Sequence, residues 1–341
     1  MAVTNPSLSV VIPVFNEAAS LPETIESLLA AVNEGEFDVE IVLVDDGSTD
    51  DSVAVTRRAV AERAPLRVVS QPNLGRFEAR RHGLEAAEGD SVLLLDGRVQ
   101  IDAGSLAYVR ERLERAPVWT AHVDVATEGD LLGAFWKLIA ELAWSDYFDH
   151  PRETSFGPEE FDRYPKGTTC FFAPRQLLLD AIAAFRSRYA DLRDANDDTP
   201  LLRWLAERGP IHVAPGFRCL YRPRTTVGSF LRHSVHRGVV FLDCHGRRAS
   251  RFFPAVAAFY PVSGVLAVAT MRRPIVAPAT LLSLALGASV VGILRRRSPL
   301  ELASLAVVTP VYGVAHGLGM WRGLLTIIHE RIRPPADGAR R

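Results

Sequence analysis

The chain has 341 residues and a formal net charge of −1, which is enough length for one large domain and a smaller one. The charge is unevenly spread, because residues 247–341 hold 13 arginines, no lysine and only three acidic residues. The acidic front part excludes nucleic acid as a partner, whereas the basic end is suited to an anionic surface. Cys170, Cys219 and Cys244 lack the spacing of a metal site, and we interpret them as reduced thiols of a cytosolic domain. No basic segment precedes the first apolar run, so we expect no signal peptide.

The first elements are a strand, a helix and a second strand. Leu8–Pro13 is a short apolar run rich in β-branched residues, which predicts a buried strand. Ser20, Pro22 and Glu23 predict the start of a helix, with Ser20 as N-cap and Glu23 completing a capping box. Val39–Val44 predicts the next strand, so the three elements form a right-handed βαβ unit with a parallel sheet.

Three carboxylates follow the ends of these two strands. Glu17 comes after the first strand, and Asp45 and Asp46 come directly after the second. Ligands of open parallel sheets bind beyond the carboxyl ends of the strands, so we expect the three to face one crevice. The alternative is that Asp46 only begins a polar turn before the helix predicted over Asp51–Ala64.

The two motifs, Pro13-Val-Phe-Asn-Glu17 and Val44-Asp-Asp-Gly-Ser-Thr-Asp50, resemble at this separation the start of the inverting family 2 glycosyltransferases. The resemblance implies the GT-A fold, an α/β architecture whose mostly parallel, Rossmann-like central sheet is flanked by helices. It also implies a nucleotide-diphosphate sugar as donor. The residues at the front of the chain that would bind this donor are Pro13, Phe15, Glu17, Asp45 and Asp46.

The α/β alternation continues with strands predicted over Leu66–Val69 and Ser91–Leu95 and a helix over Glu78–Ala87. The family carries a similar run before and within this helix, close to the donor. The matching residues are Asn73, Gly75, Ala79, Arg80 and Gly83. Gly75 and Arg80 are therefore candidate donor-binding residues. Either Arg80 or Arg81 is suited to a diphosphate, since arginine pairs bidentately with phosphate oxygens, but a solvated helix face is an equal alternative for Arg81.

The chain departs from the family at its Asp-x-Asp motif, whose carboxylates hold a divalent metal on the donor diphosphate. Here the stretch is Asp96-Gly97-Arg98-Val99-Gln100, with arginine in the second acidic position. Mg²⁺ or Mn²⁺ held by Asp96 and Gln100 remains the expected cofactor, because a leaving diphosphate needs positive charge. Arg98, also assigned to the donor site, is the alternative source of that charge. A further possibility is that Arg98 points to solvent and Asp96 acts alone.

The middle of the chain carries less information. Ser105–Arg115 predicts an amphipathic helix and Val118–Val125 a strand. Leu131–Phe148 predicts one aromatic-rich helix, whose rings are more typical of a core than of a sugar platform. Lys166–Arg175 predicts a strand that ends in a turn, followed by a helix through Phe185.

An acid pair, Asp197-Asp198, precedes a predicted helix and is similar to the family's Glu-Asp motif. The resemblance assigns the general base to Asp198, which would take the acceptor hydroxyl proton during inverting transfer, or orient an acceptor phosphate. Asp197 replaces the family's glutamate. A helix cap is the alternative for the pair, and capping is compatible with catalysis.

A basic segment follows the strand predicted over Val213–Tyr221. Arg232, His236 and Arg237 lie on one helical face that is suited to phosphate. The resemblance to the family is partial here, and Arg237 is the residue assigned to the donor site. Docking of this face on a membrane is an equal alternative.

Three stretches near the end lack Lys, Arg, Asp and Glu over about 20 positions, the length that crosses a bilayer core: Phe252–Thr270, Ile275–Leu294 and Leu302–Trp321. Pro254 and Pro261 weaken the first, which is also compatible with an interfacial or re-entrant segment. The arginine clusters between the stretches do not settle their orientation. A soluble helical domain is the alternative.

The sequence therefore predicts a GT-A catalytic domain over residues 1–245, a membrane-associated helical region over 246–330 with two or three spans, and a disordered basic tail over 331–341. The predicted enzyme is an inverting, hexosyl-type glycosyltransferase acting on a lipid-linked or membrane-presented acceptor, with its catalytic domain on the cytoplasmic side. The alternative is a non-catalytic membrane scaffold or nucleotide-sugar sensor that retains the fold. The altered Asp-x-Asp motif favours this alternative, and Asp198 opposes it.

Overall fold

A computed structural model describes residues 5–127, 129–248 and 250–332. The chain forms two compact units: the first comprises Met1–Asp124, Ala143–Arg186 and Asp197–Arg222, and the second comprises Val125–Leu142, Ser187–Asn196 and Pro223–Arg341. The sequence predicted a domain boundary at residue 246, whereas the last segment of the second unit begins at Pro223. This unit also includes two shorter segments of the predicted catalytic domain, Val125–Leu142 and Ser187–Asn196. Most of the predicted tail, from 333 on, lies outside the described residues.

Eleven strands occur in the described part of the chain. They are β1 (Ser7–Val14), β2 (Asp38–Asp45), β3 (Leu66–Ser70), β4 (Ser91–Leu95), β5 (Val99–Ile101), β6 (Trp119–Thr120), β7 (His122–Val125), β8 (Thr154–Phe156), β9 (Cys170–Pro174), β10 (Ile211–Val213) and β11 (Arg218–Tyr221). Eight of them form one sheet in the order β3-β2-β1-β4-β9-β6-β10-β8, and three form a small sheet in the order β5-β11-β7. The strands β3, β2, β1 and β4 are parallel, so their carboxyl ends lie at one edge.

The helices in the described residues are α1 (Leu21–Gly35), α2 (Ser52–Val60), α3 (Arg76–Ala86), α4 (Ser105–Arg110), α5 (Leu131–Ala143), α6 (Ser145–Phe148), α7 (Arg175–Ala183), α8 (Thr199–Ala206), α9 (Val227–His245), α10 (Phe253–Arg272), α11 (Val276–Leu294) and α12 (Pro299–Ile332). The predicted alternation of strands and helices in the first unit is thus confirmed. Strands β1, β2 and β4 read as nearly continuous Val, Ile and Leu runs because helices cover both faces of a parallel sheet.

Close packing on the sheet depends on one glycine of α3. A Cβ atom on Gly83 would stand 2.3 Å from Cγ1 of Val11 in β1 and 3.0 Å from Cγ2 of Val44 in β2. Any side chain here would push α3 away from the sheet, since interiors tolerate little added volume. Gly83 therefore fixes the height of α3 above the sheet, and with it the position of the arginines that α3 carries.

Several predicted elements differ from those observed. The strand predicted over Val118–Val125 is divided between β6 and β7, which belong to different sheets. The helix predicted over Leu131–Phe148 is interrupted at Trp144, whose backbone is not helical. The capping box is not formed: the Ser20 hydroxyl donates to the carbonyl oxygen of Gly97 at 2.7 Å, and Glu23 accepts from the Gln100 amide. A contact distant in sequence has replaced the local one.

The second unit is built around the pair α9 and α12. A Cβ on Gly238 of α9 would lie 2.0 Å from the His316 carbonyl oxygen, and one on Gly319 of α12 would lie 1.9 Å from that of Val235. The two backbones are therefore in contact, as small residues allow. Helix α5 joins this pair, since Ser304 of α12 donates to the carbonyl of Leu131 at 2.7 Å.

Three helices of the second unit are long and apolar enough to cross a membrane: α10, α11 and α12. In α10 and in α11 only 6% of the apolar 18-residue stretch is buried within the protein, against 39% in α12. Helices α10 and α11 thus expose a large apolar surface, whereas α12 is partly covered by α9 and α5. The predicted three apolar stretches are confirmed as helices.

Candidate active site at the carboxyl edge of the sheet

The two sequence motifs at the front of the chain are joined by hydrogen bonds. The backbone N–H of Thr49 donates to Oδ1 of Asn16 at 2.8 Å, and the N–H of Glu17 donates to the Ser52 hydroxyl at 2.9 Å. Asn16 has a φ of 56°, in the left-handed region that asparagine tolerates better than most residues. The loop after β1 is therefore held in shape by the loop after β2, which explains why the two motifs occur together.

The adjacent aspartates of the second motif have different surroundings. Asp46 is buried and accepts three hydrogen bonds, from Nε2 of Gln71 at 2.7 Å and from the N–H groups of Leu74 at 2.7 Å and Gly75 at 3.0 Å. Among the described residues, the Asp45 side chain accepts one hydrogen bond, from the N–H of Ser48 at 2.9 Å. The Asp46 carboxylate thus organises the turn that leads into α3.

The start of α3 carries two arginines that contact the acidic motifs. Arg80 is buried; its Nη2 atom donates to Oδ1 of Asp96 at 2.8 Å, and its Nη1 atom contacts Oδ2 of Asp197. Arg76, one turn earlier, lies 3.5 Å from Oδ1 of Asp197. Arg81 instead pairs with glutamates of its own helix, which agrees with the solvated-face interpretation.

Arg98 does not point freely into solvent. Its Nε atom lies 2.7 Å from Oε2 of Glu17, and both side chains are largely buried. The preceding residue, Gly97, is fixed through its carbonyl by Ser20, and the N–H of Asp96 donates to the carbonyl of Thr169 at 2.9 Å. The altered Asp-x-Asp stretch is therefore a turn held by hydrogen bonds, which carries the Asp96 carboxylate and the Arg98 guanidinium.

The acid pair lies at the start of α8. Asp198 occupies the N-cap position, yet its side chain makes no capping hydrogen bond; it accepts from the Thr199 hydroxyl at 3.1 Å. Burial, and next the carboxylate of Asp197, raise the pKa of Asp198, although the Arg76 and Arg80 guanidinium groups oppose this shift. A carboxylate with a raised pKa holds a proton more strongly than an ordinary aspartate, which suits a general base.

The residues predicted to hold Mg²⁺ or Mn²⁺ are Asp96 and Gln100, and the structure shows which of their oxygen atoms are available as ligands. Within the described residues no group of three His, Cys, Asp or Glu side chains is arranged to hold a metal. The Gln100 amide donates to Glu23. The hydrogen bonds of the described residues engage only Oδ1 of Asp96, which leaves Oδ2 for a cation. One carboxylate fits such an ion when water and substrate phosphates supply its other ligands.

The remaining predicted donor-binding residues differ in accessibility. Pro13 is buried within β1, where it pairs with Val44 of β2. The ring of Phe15, just beyond the strand, is 40% exposed. Gly75 immediately precedes α3 with a φ of 91°, which only glycine adopts readily. Arg237 belongs to the second unit, where its guanidinium lies 5.2 Å from the centre of the Trp136 ring.

Two sets of ion-paired side chains thus follow the sheet strands and the start of α8: Glu17 with Arg98, and Arg80 with Asp96 and Asp197. Sequence reasoning missed Arg76. Its spacing of four from Arg80 was the available signal, since residues four apart share a helix face.

This sheet order, a mostly parallel central sheet flanked by helices, is that of the GT-A fold. Residues 9–176 match the family described as Glycosyl transferase family 2. The chain therefore carries a domain of that family, and the predicted family and fold are confirmed.

Two solved structures support the fold. The mannosyltransferase PcManGT from Pyrobaculum calidifontis, in complex with GDP-Man and Mn²⁺, is 16% identical with a TM-score of 0.52, covering 98% of this chain and 89% of its own. TarS residues 1–349 of S. aureus, in complex with UDP-GlcNAc, is 16% identical with a TM-score of 0.53, covering 96% and 92%.

The curated relatives align over a shorter segment. An undecaprenyl-phosphate 4-deoxy-4-formamido-L-arabinose transferase of Pseudomonas syringae pv. syringae is 45% identical over 96 residues, which is 27% of this chain and 28% of that protein. A dodecaprenyl-phosphate galacturonate synthase of Rhizobium johnstonii is 36% identical over 110 residues, 32% of each chain. The alignment with this chain thus spans less than a third of the length of these relatives.

Proposed function

We propose that this protein transfers a sugar, with inversion, from a nucleotide-diphosphate sugar to a lipid-linked or membrane-presented acceptor. The observation that carries the proposal is the group of ion pairs at the edge where α/β sheets bind ligands: Glu17 pairs with Arg98, and Arg80 pairs with both Asp96 and Asp197. The names of two curated relatives include undecaprenyl phosphate and dodecaprenyl phosphate. These names favour a polyprenyl phosphate as the acceptor.

The donor is proposed to bind over the loops that follow β1 and β2. The exposed ring of Phe15 offers a face for stacking on the nucleobase, and Asp45, which accepts one hydrogen bond from the described residues, can accept others. Pro13, which is buried in β1, and Asp46, which holds the turn before α3, fix the position of these loops. The Arg98 guanidinium, now paired with Glu17, is a candidate partner for the diphosphate.

Asp198 is proposed as the group that faces the acceptor. Its raised pKa fits a base that takes a proton from an acceptor hydroxyl while the sugar carbon is attacked from the opposite side to the leaving diphosphate. With an acceptor phosphate that is already ionised, the same carboxylate orients the nucleophile. Asp197, next to Asp198 in the chain, pairs with Arg76 and Arg80.

We further propose that Asp96 holds Mg²⁺ or Mn²⁺ together with the donor phosphates, with Gln100 as the predicted second protein ligand. The ion would supply positive charge to the leaving diphosphate. The presence of Mn²⁺ in the PcManGT complex is consistent with this proposal. Arg98 supplies the remaining positive charge.

Helices α10 and α11 are proposed to anchor the protein in the membrane, with the first unit on the cytoplasmic side. Their exposed apolar surface and three cysteines without a disulfide among the described residues are consistent with this location.

The experiment is transfer by the purified full chain in detergent, with a panel of nucleotide sugars and a membrane lipid extract. Asp198→Asn should keep nucleotide binding while turnover falls by roughly 10²–10⁴-fold, and Asp197→Asn should be milder. Asp180→Asn, an exposed acid of α7, is the matched control. Near-wild-type turnover of Asp198→Asn would contradict the assignment of the base. Nucleotide-sugar binding with neither transfer nor hydrolysis would instead favour the non-catalytic sensor or scaffold.

A further inference from the structure

Two arginines of α3 face the same acidic residues, but only one is enclosed by the protein. The side chain of Arg80 is 4% exposed and that of Arg76 is 52% exposed. Arg80 contacts Asp96 through Nη2 and Asp197 through Nη1, so both ends of its guanidinium fork are occupied by protein carboxylates. Arg76 makes one longer contact from a more open position.

Two ion pairs hold the Arg80 guanidinium within the protein. Its Nε atom is buried and has no hydrogen-bond partner among the described residues, so the polar contacts of the group there are those of its two Nη atoms. A guanidinium is planar and rigid, and two carboxylates bound to its two ends are kept at a set separation. Asp96 follows β4, whereas Asp197 precedes α8, so the arginine connects two otherwise separate motifs.

We propose that Arg80 is a positioning residue whose guanidinium sets the separation between Asp96, on the donor side, and the Asp197–Asp198 pair, on the acceptor side. We call Arg80 with Asp96 and Asp197 the Arg80 bridge. The inference rests on the proposed function and changes the role that the resemblance implied for Arg80, because an enclosed guanidinium with both ends occupied is not available to the donor. Lysine at this position keeps the charge but loses the fork.

The first test is steady-state transfer by the full chain. Arg80→Ala should lower kcat by about 100-fold, the loss typical of reacting groups misplaced by about 1 Å, while the donor KM changes by less than about threefold. Arg80→Lys should also lower kcat, and added guanidinium should partly restore Arg80→Ala but not Arg80→Lys. Arg81→Ala, which removes a solvated neighbour on the same helix, is the control. A donor KM raised at least about tenfold with kcat unchanged would overturn the proposal, since it would make Arg80 a donor ligand.

The second readout is the pH dependence of kcat. Asp198 must be deprotonated to act, so turnover falls as the pH drops through its pKa. Burial, and next Asp197, raise that pKa, while Arg76, Arg80 and the hydrogen bond from Thr199 lower it. Removing the Arg80 charge should therefore move the acidic limb to higher pH in Arg80→Ala and less so in Arg80→Lys. An unmoved limb together with a lower stability would reduce Arg80 to a purely structural role and overturn the proposal.

A third measurement does not depend on activity and separates failure of the bridge from failure of the proposed function. Thermal unfolding is compared for Arg80→Met, Asp197→Asn and the double variant. If the bridge exists, each single variant lowers the unfolding midpoint, because it leaves one buried charge without its partner. The double variant removes both groups, so its midpoint should be no lower than that of the less stable single variant. Additive effects would overturn the bridge. Coupling found in a protein that transfers no sugar would leave the bridge intact and reject the function.

Discussion

Replacing Asp46 should damage the protein much more than replacing its neighbour Asp45. The two aspartates are adjacent at the end of β2. In the described part of the chain the Asp46 side chain accepts hydrogen bonds from Gln71, Leu74 and Gly75, whereas that of Asp45 accepts one, from Ser48. Asp46→Ala therefore leaves three donors of the turn before α3 without their acceptor. Asp45→Ala leaves one.

The magnitude follows from these contacts. A hydrogen bond to a charged group contributes about 1.5–3 kcal/mol, but the two backbone donors are only partly buried and can bind water in the variant. We therefore expect a loss of about 3 kcal/mol for Asp46→Ala and about 1 kcal/mol for Asp45→Ala. At about 2–4 °C per kcal/mol, the unfolding midpoint should fall by about 6–12 °C and about 2–4 °C respectively.

The assay is thermal unfolding of the full chain in detergent, followed by transfer at a temperature where both variants are folded. Asp46→Ala should also lose turnover, because the turn sets the start of α3 and thus Arg76 and Arg80. Asp46→Asn should be intermediate, since an amide oxygen accepts hydrogen bonds without the charge. Equal midpoints for Asp46→Ala and Asp45→Ala would refute this reasoning.

Three further outcomes are expected. Excess chelator should abolish transfer, and about 1–10 mM Mg²⁺ or Mn²⁺ should restore it; undiminished transfer in chelator, with an inactive Arg98→Ala, would assign the role of the metal to that guanidinium. Gly238→Ala should lower the unfolding midpoint, with a cost of about 3 kcal/mol, because the new Cβ meets the α12 backbone. Gly287→Ala, with no atom within 4 Å of the new Cβ, should not, and equal effects would argue against the packing of α9 on α12. The protein should fractionate with membranes and resist extraction by salt; recovery as a monodisperse protein in plain buffer would contradict the anchor.

The first βαβ unit could be predicted from sequence because its signals are local. The apolar runs of β1 and β2 have the length and composition of buried strands, and the two motifs lie directly after them. The acid pair was also located, because its helix start follows within one residue. In these cases neighbouring residues determine the structure.

Contacts between distant residues could not be predicted in the same way. Arg80 and Asp197 are 117 positions apart, and nothing in either local pattern indicates that they meet. Ser20 has the type and place of an N-cap, yet its hydroxyl binds a carbonyl 77 positions away. The division of β6 from β7 likewise depends on which sheet has a free edge, which local β propensity does not encode.

The second unit is discontinuous along the chain, and this has a consequence for biosynthesis. Helix α5 leaves the ribosome long before its partner, since Leu131 and Ser304 are 173 positions apart. Chains are synthesised at about 5–20 residues per second, so about 9–35 s pass between the synthesis of α5 and that of its partner segment in α12. The rings of Phe135 and Trp136 on α5, which are buried in the finished unit, lack this partner until then. During that interval the apolar face of α5 lacks its contact with α12, while the later strands of the first unit are still being synthesised. Delivery of the nascent chain to a membrane surface, or a chaperone that covers α5, would protect it until α12 is synthesised.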